Sequence, residues 1–132
     1  MLRLGLRVKK STIQGAGRGL FAAKAFRSGQ RIVPYVAASK LAASMRTKAT
    51  IDKRYPGNQV AAYVLCHGKQ ARSLCTDASK TSSGVGRFAN DVPGMNNAEF
   101  EWKGKRQGHV MVATRHIAAG EEIFAYYGDS YW

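Results

Sequence analysis

Cysteine is scarce in this chain: Cys66 and Cys75 are the only two among 132 residues. Two thiols cannot build a four-cysteine zinc site or a disulfide scaffold. One disulfide is permitted but not required, and both residues read as buried thiols in a reducing compartment. His67, His109 and His116 show no metal-ligand spacing, so no metal is expected. Long apolar runs are also lacking. Nothing approaches the roughly 20 residues of a spanning helix, and Met1 to Lys10 has no apolar signal core. The expectation is an intracellular, soluble protein with no membrane association. Arg3, Arg7, Lys9 and Lys10 have the composition of an organellar presequence, but the pattern runs directly into a first strand.

Acids are the other scarcity, and they are unevenly missing. Residues 1–66 hold 13 Lys or Arg against Asp52 alone, whereas residues 67–132 hold 8 against 7. The net charge of +13 is therefore a positive field on one half and near neutrality on the other. Such a field attracts polyanions through long-range attraction and counterion release. The acids of the second half are candidates to line a groove for a cationic peptide; a solvated face is the plainer reading of any single lysine. With 45% apolar residues and 14 glycines, the composition is that of one folded, turn-rich domain spanning 1–132.

Apolar–polar alternation over Leu4 to Lys9 predicts a half-buried strand. Gly15, Gly17 and Gly19 then mark a turn before the apolar run from Leu20 to Ala23. Strands are expected at Arg31 to Val36, Val60 to Cys66, Leu74 to Thr76, His109 to Ile117 and Glu122 to Tyr127. A single helix is expected over Ala37 to Lys48. The fold class is mainly β, without the strand–helix alternation of a parallel sheet. Gly15-Ala16-Gly17-Arg18-Gly19 lacks the further spacing of a dinucleotide fingerprint and the Gly-Lys-Ser/Thr of a P-loop. It suits either a structural turn or close backbone approach to a ligand.

Three separated segments resemble the SET-domain methyltransferases. Gly15 to Ala22 is similar to that family's opening Gly-x-Gly-x-Gly. Thr76-Asp77-Ala78 followed by Gly86-Arg87-Phe88-Ala89-Asn90 resembles its Asp-Ala and Gly-Arg-x-x-Asn positions. Ala119-Gly120-Glu121-Glu122-Ile123, then Tyr126-Tyr127-Gly128, resembles its Gly-Glu-Glu and final Tyr-Gly. The resemblance covers residues 7 to 132 and implies several small curved sheets with a pseudoknot near the C-terminus. It implies methyl transfer from S-adenosylmethionine to a protein lysine, a histone tail being the first substrate class, with nucleus or chromatin as the setting in a eukaryote or its virus.

The resemblance also assigns roles. Tyr127 matches the tyrosine at the reacting centre, and Tyr63 a tyrosine of the lysine channel; Tyr126 should face the other side and pack. Ala16, Gly17, Arg18, Asn90, Asp91 and Tyr127 are the cofactor-binding candidates, with Asn96 or Asn97 matching a later asparagine. Ala125, Tyr131 and Trp132 are substrate-channel candidates. Ala125 stands where many relatives carry an aromatic residue, leaving room for more than one methyl. Asp91 departs from the family's histidine: it accepts hydrogen bonds but has no ring donor. The cysteine-rich segment that often follows the final Tyr-Gly is missing, so channel closure falls to Tyr131, Trp132 or a partner chain such as a second copy. The competing reading is a catalytically inactive SET-like module that binds nucleic acid or chromatin, with the basic first half contacting nucleosomal DNA.

Overall fold

The computed structural model describes residues 5–55, 63–80 and 84–127. Its strands are β1 (Leu6–Lys10), β2 (Arg18–Ala22), β3 (Arg31–Pro34), β4 (Met45–Thr47), β5 (Val64–Cys66), β6 (Leu74–Asp77), β7 (Ala98–Trp102), β8 (His109–Ala113), β9 (Glu122–Ile123) and β10 (Ala125–Tyr126). Two short helices, α1 (Leu41–Ser44) and α2 (Lys48–Arg54), flank β4. The strands form three small sheets, ordered β1-β2-β9, β10-β7-β8-β3 and β4-β6-β5.

The glycine turn closes the β1–β2 hairpin, in which Leu6 lies opposite Ala22 and Lys10 opposite Arg18. Leu6, Leu20, Phe26, Tyr35, Met111, Ile117 and Ile123 are fully buried in the main core. Each such side chain contributes about 1.5–3 kcal/mol of apolar burial. A smaller core of Ile51, Val64, Cys66 and Cys75, with Tyr55 packed on it, sits under α2.

The C-terminal segment is the topological centre. Ile123 pairs antiparallel with Leu20, Phe124 bridges Asn90 in parallel, and Ala125 pairs in parallel with Ala98. One short stretch therefore joins the first sheet, the 90–97 loop and β7. Buried Asn97 fastens the crossing: its Nδ2 donates to the Glu122 carbonyl at 3.0 Å, and its Oδ1 accepts from the Phe124 amide at 2.9 Å.

Four expectations change. The helix over Ala37 to Lys48 breaks into a 3-10 turn, α1, β4 and α2, because Met45, Arg46 and Thr47 pair with Thr76, Cys75 and Leu74. Thr47 then caps α2 by accepting from the Thr50 amide. The strand expected over Glu122 to Tyr127 is interrupted where Phe124 turns to Asn90. β7 had no strand expectation, although Ala-Glu-Phe-Glu-Trp alternates apolar and polar residues; it pairs with β8 along its whole length. Finally, Cys66 and Cys75 are not thiols. They face each other across β5 and β6 and form a disulfide, which removes the support for a reducing compartment.

Candidate active site

The Gly15 to Gly19 turn is held by the Ser11 amide donating to the Gly17 carbonyl at 2.8 Å and the Ala16 amide donating to the Ile13 carbonyl at 3.1 Å. Gly17 sits at φ +74°, where L side chains are disfavoured, and open space lies beyond its Cα. Gly19 is needed for another reason: a Cβ there would strike the Glu122 carboxylate. That carboxylate accepts from Ser11 Oγ at 2.7 Å, the Thr12 amide at 2.8 Å and the Thr12 hydroxyl. Burial opposes its ionisation, but these donors prevail and hold it below the usual carboxylate range. Glu122 thus buttresses the turn.

A cavity of about 540 Å³ opens beside this turn. Ala16, Gly17, Arg18, Tyr63, Asn90, Asp91 and Tyr127 all lie on its wall. Residues separated by more than a hundred positions meet here because the C-terminal segment crosses beneath the 90–97 loop. Tyr127 is buried; its hydroxyl donates to the Ala89 carbonyl at 2.9 Å, and its amide donates to Asp91 Oδ2 at 3.0 Å. Its ring packs edge-on against Phe100 and Tyr35, with centroids 5.0 and 6.3 Å away. Asp91 also accepts from Asn96 Nδ2 at 2.8 Å, so the residue in the family histidine's place ties the loop to the Tyr127 backbone. Asn90 donates from Nδ2 to the Arg18 carbonyl at 3.2 Å, linking the two halves of the wall.

Not every candidate joins them. Ala125 is fully enclosed, pairs with Ala98 and lies off the cavity wall. Tyr131 and Trp132 lie outside the described residues. Tyr126, expected to pack, faces opposite to Tyr127 as the strand period requires, but it is 52% exposed. The two asparagines divide: Asn97 fastens the crossing, while Asn96 serves the loop through Asp91 and the Val92 amide.

Arg87, Phe88 and Ala89 also line the cavity and were not singled out as site residues, although Gly-Arg-x-x-Asn contains them. The signal was present in the motif, but an arginine ordinarily implies a surface. Arg87 is only 7% exposed; its guanidinium stacks 3.9 Å over the Tyr63 ring and donates to the Ser79 carbonyl at 3.3 Å. Its Nε is buried without a hydrogen-bond partner among the described residues. No cluster of three or more metal-ligating side chains occurs among those residues.

The turn, the 90–97 crossing and the tyrosine-walled cavity define a fold built around one composite site. The SET-domain family model matches residues 17–128, and the chain belongs to the SET-domain family. The N-lysine methyltransferase KMT5A-A of Danio rerio is 28% identical over 118 residues, covering 89% of this chain and 34% of that protein. The chain thus spans about a third of that relative's length. Among solved structures, CpSET8 from Cryptosporidium superposes with TM-score 0.68 at 19% identity, covering 95% of this chain and 58% of the other. Polycomb Repressive Complex 2 of Chaetomium thermophilum, in an autoinhibited conformation bound to S-adenosylmethionine, superposes with TM-score 0.67 at 19% identity, covering 96% and 15%. These likenesses establish the mainly β SET fold.

The wall also suits S-adenosylmethionine chemically. Its polar groups combine donors, namely an amide, exposed turn backbone and a buried guanidinium with one unsatisfied nitrogen, with an accepting carboxylate. A zwitterionic ligand with a cationic sulfur and an aromatic base has a use for each of them.

Proposed function

We propose that this chain is an S-adenosylmethionine-dependent protein-lysine N-methyltransferase acting on a basic protein tail, histone tails being the first class to test. The supporting observation is the single cavity that gathers Gly17, Tyr63, Asn90 and Tyr127. S-adenosylmethionine supplies an electrophilic methyl group on a positively charged sulfur. In this reading Ala16, Gly17 and Arg18 contact it through the turn, with the Asn90 amide and the Asp91 carboxylate on the adjoining wall.

The chain's own residues would prepare the nucleophile. A lysine ammonium with ordinary pKa near 10.4 must lose a proton, which costs about 4–5 kcal/mol at pH 7 unless the site lowers that pKa. The rings of Tyr63, Phe88 and Tyr127 on the cavity wall disfavour the charged form through desolvation. Donation to Ala89 turns the Tyr127 proton toward the protein, so its oxygen can accept an N–H from the incoming amine and orient it. The amine proton leaves to solvent before transfer. Tyr63 forms the facing wall, its ring stacked on Arg87. Tyr131, Trp132 or a second copy would complete the channel. Ala125 lies off the cavity wall, so its small side chain does not bear on the number of methyl groups added; mass spectrometry of the product with excess cofactor reads that number.

Incubation with labelled cofactor and core histones tests the reading. Incorporation that disappears in Tyr127→Phe supports it. Asp91 in place of the family histidine favours one competitor, a module without activity, for which polyanion binding would persist while cofactor binding and methyl incorporation are both absent.

A further inference from the structure

A second cleft, of about 500 Å³, lies on the α1–β4–α2 side and has no part in the proposed methyl transfer. Lys40, Arg46, Arg54 and Lys80 line it, together with hydroxyl-bearing Ser44 and Tyr55. Arg54 is already matched, donating to Asp77 at 2.8 Å, and Tyr55 donates to the same carboxylate at 3.0 Å. The Asp77 side chain is only 3% exposed, so it neutralises Arg54 from beneath and presents little negative charge to the opening.

Lys40, Arg46 and Lys80 have no carboxylate partner among the described residues. Arg46 donates to the Met45 carbonyl at 2.8 Å, which orients its guanidinium without cancelling its charge. Sequence explains the excess: the one acid before Asp77 is Asp52, and it pairs with Lys48 at 3.0 Å. Three like charges around one concavity repel each other, and a polyanion relieves that repulsion.

We propose that this cleft is a docking site for the phosphodiester backbone of nucleic acid. Cations and hydroxyls are donors suited to phosphate oxygens. An acidic peptide fits less well, because Ala43 and Tyr55 are the lining's only apolar-bodied side chains and offer few anchors. Ser79 places the cleft next to the first cavity: it lines the cleft, while its carbonyl accepts from Arg87, whose guanidinium stacks on Tyr63. A chain held on nucleic acid here would carry its reacting cavity beside proteins bound to the same strand. The docking claim stands apart from the methyltransferase reading and is measured without cofactor.

The test is fluorescence anisotropy of a labelled 20-base-pair duplex with the whole chain, over about 50–200 mM salt. A triple variant, Lys40→Gln with Arg46→Gln and Lys80→Gln, is compared with a charge-matched control at exposed positions on other elements, Arg7→Gln with Lys10→Gln and Arg27→Gln. The cleft variant should lose about tenfold or more in affinity, with the logarithmic salt slope shallower by about 2–3; the control should lose less than about threefold. Lys40→Gln with Lys80→Gln, which leaves the Arg46 contacts in place, should give an intermediate loss with an unchanged circular dichroism melt. Equal losses in the cleft and control triples would mean that net charge alone binds DNA and would overturn the assignment. So would absence of binding by the unmodified chain at the lowest salt, or cleft-dependent binding of polyglutamate tighter than that of DNA. Cofactor binding, followed by calorimetry, should be unchanged in the cleft variants, so failed methylation and failed docking remain separate results.

Discussion

Asp91 and Tyr127 are mutually dependent at the scale of single residues. The Asp91 carboxylate accepts from the Tyr127 amide and from Asn96, so it holds the catalytic candidate's backbone and its own loop together. Asp91→Ala should cost about 1–2 kcal/mol in denaturant unfolding and weaken cofactor binding in calorimetry by displacing the wall. Tyr127→Phe removes the buried bond to Ala89 and should lower kcat about 100-fold through lost alignment, with the fold retained by circular dichroism. A third residue sets a pH dependence. His109 is fully buried beside Trp102, and both its ring nitrogens lack a partner among the described residues. Burial, then repulsion from His67, pushes its pKa down from 6.5 to about 4. The unfolded chain takes up that proton from about pH 6.5 downward while the folded chain refuses it until about 4. Stability should therefore fall across this window by about 3 kcal/mol. Melts of the unmodified chain and His109→Phe between pH 7 and 4 should diverge accordingly. Below it, Asp77 and Glu122 add a further loss. Their carboxyls are held below the ordinary range, so the stability they contribute is present above that range and disappears on protonation.

Among the elements, the sheet β4-β6-β5 is the one that a local reading misjudged most. Alanine, leucine and methionine predicted a continuous helix through Lys48, but β6 offers an unpaired edge that Met45 to Thr47 fill. Helix propensity differences of a few tenths of a kcal/mol per residue cannot oppose a ladder with buried neighbours. The Cys66–Cys75 disulfide joins the other side of this sheet across a sequence separation of 9. Closing so short a loop restricts the unfolded chain by about 2–3 kcal/mol. Reduction, or Cys66→Ala with Cys75→Ala, should lower the melting temperature while leaving the β1–β2 turn intact, as read by amide exchange at Ser11 and Ala16. Glu122 shows the converse case. It belongs to a turn-and-strand motif visible in sequence, yet its bonds to Ser11 and Thr12 reach back 111 and 110 residues.

For the whole molecule, the basic first half and the composite cavity are different kinds of fact. Charge asymmetry is a sum over residue types, so it can be counted without coordinates. It does not reveal that Lys40, Arg46 and Lys80 share a cleft, nor that several acids are engaged internally by Arg54, Ser11, Thr12 and Tyr127. The motif segments made Gly17, Asn90 and Tyr127 candidates because each matched a family position, and Tyr63 became one through its spacing before Asp77. Arg87 escaped because its burial depends on Tyr63 and Ser79, which lie elsewhere in the chain.

Taken alone, the order of residues determined the mainly β character, the turn at Gly15 to Gly19, the excess of positive charge and the family resemblance. These depend on local period, backbone freedom and composition. Tertiary structure decided the rest: the break in the helix, the disulfide across β5 and β6, the enclosure of Ala125 and Arg87, and the meeting of Tyr127 with Gly17. The helix break and the disulfide depend on pairing within the sheet β4-β6-β5, whereas the enclosure of Ala125 and the meeting of Tyr127 with Gly17 exist only once the C-terminal strand has crossed the 90–97 loop.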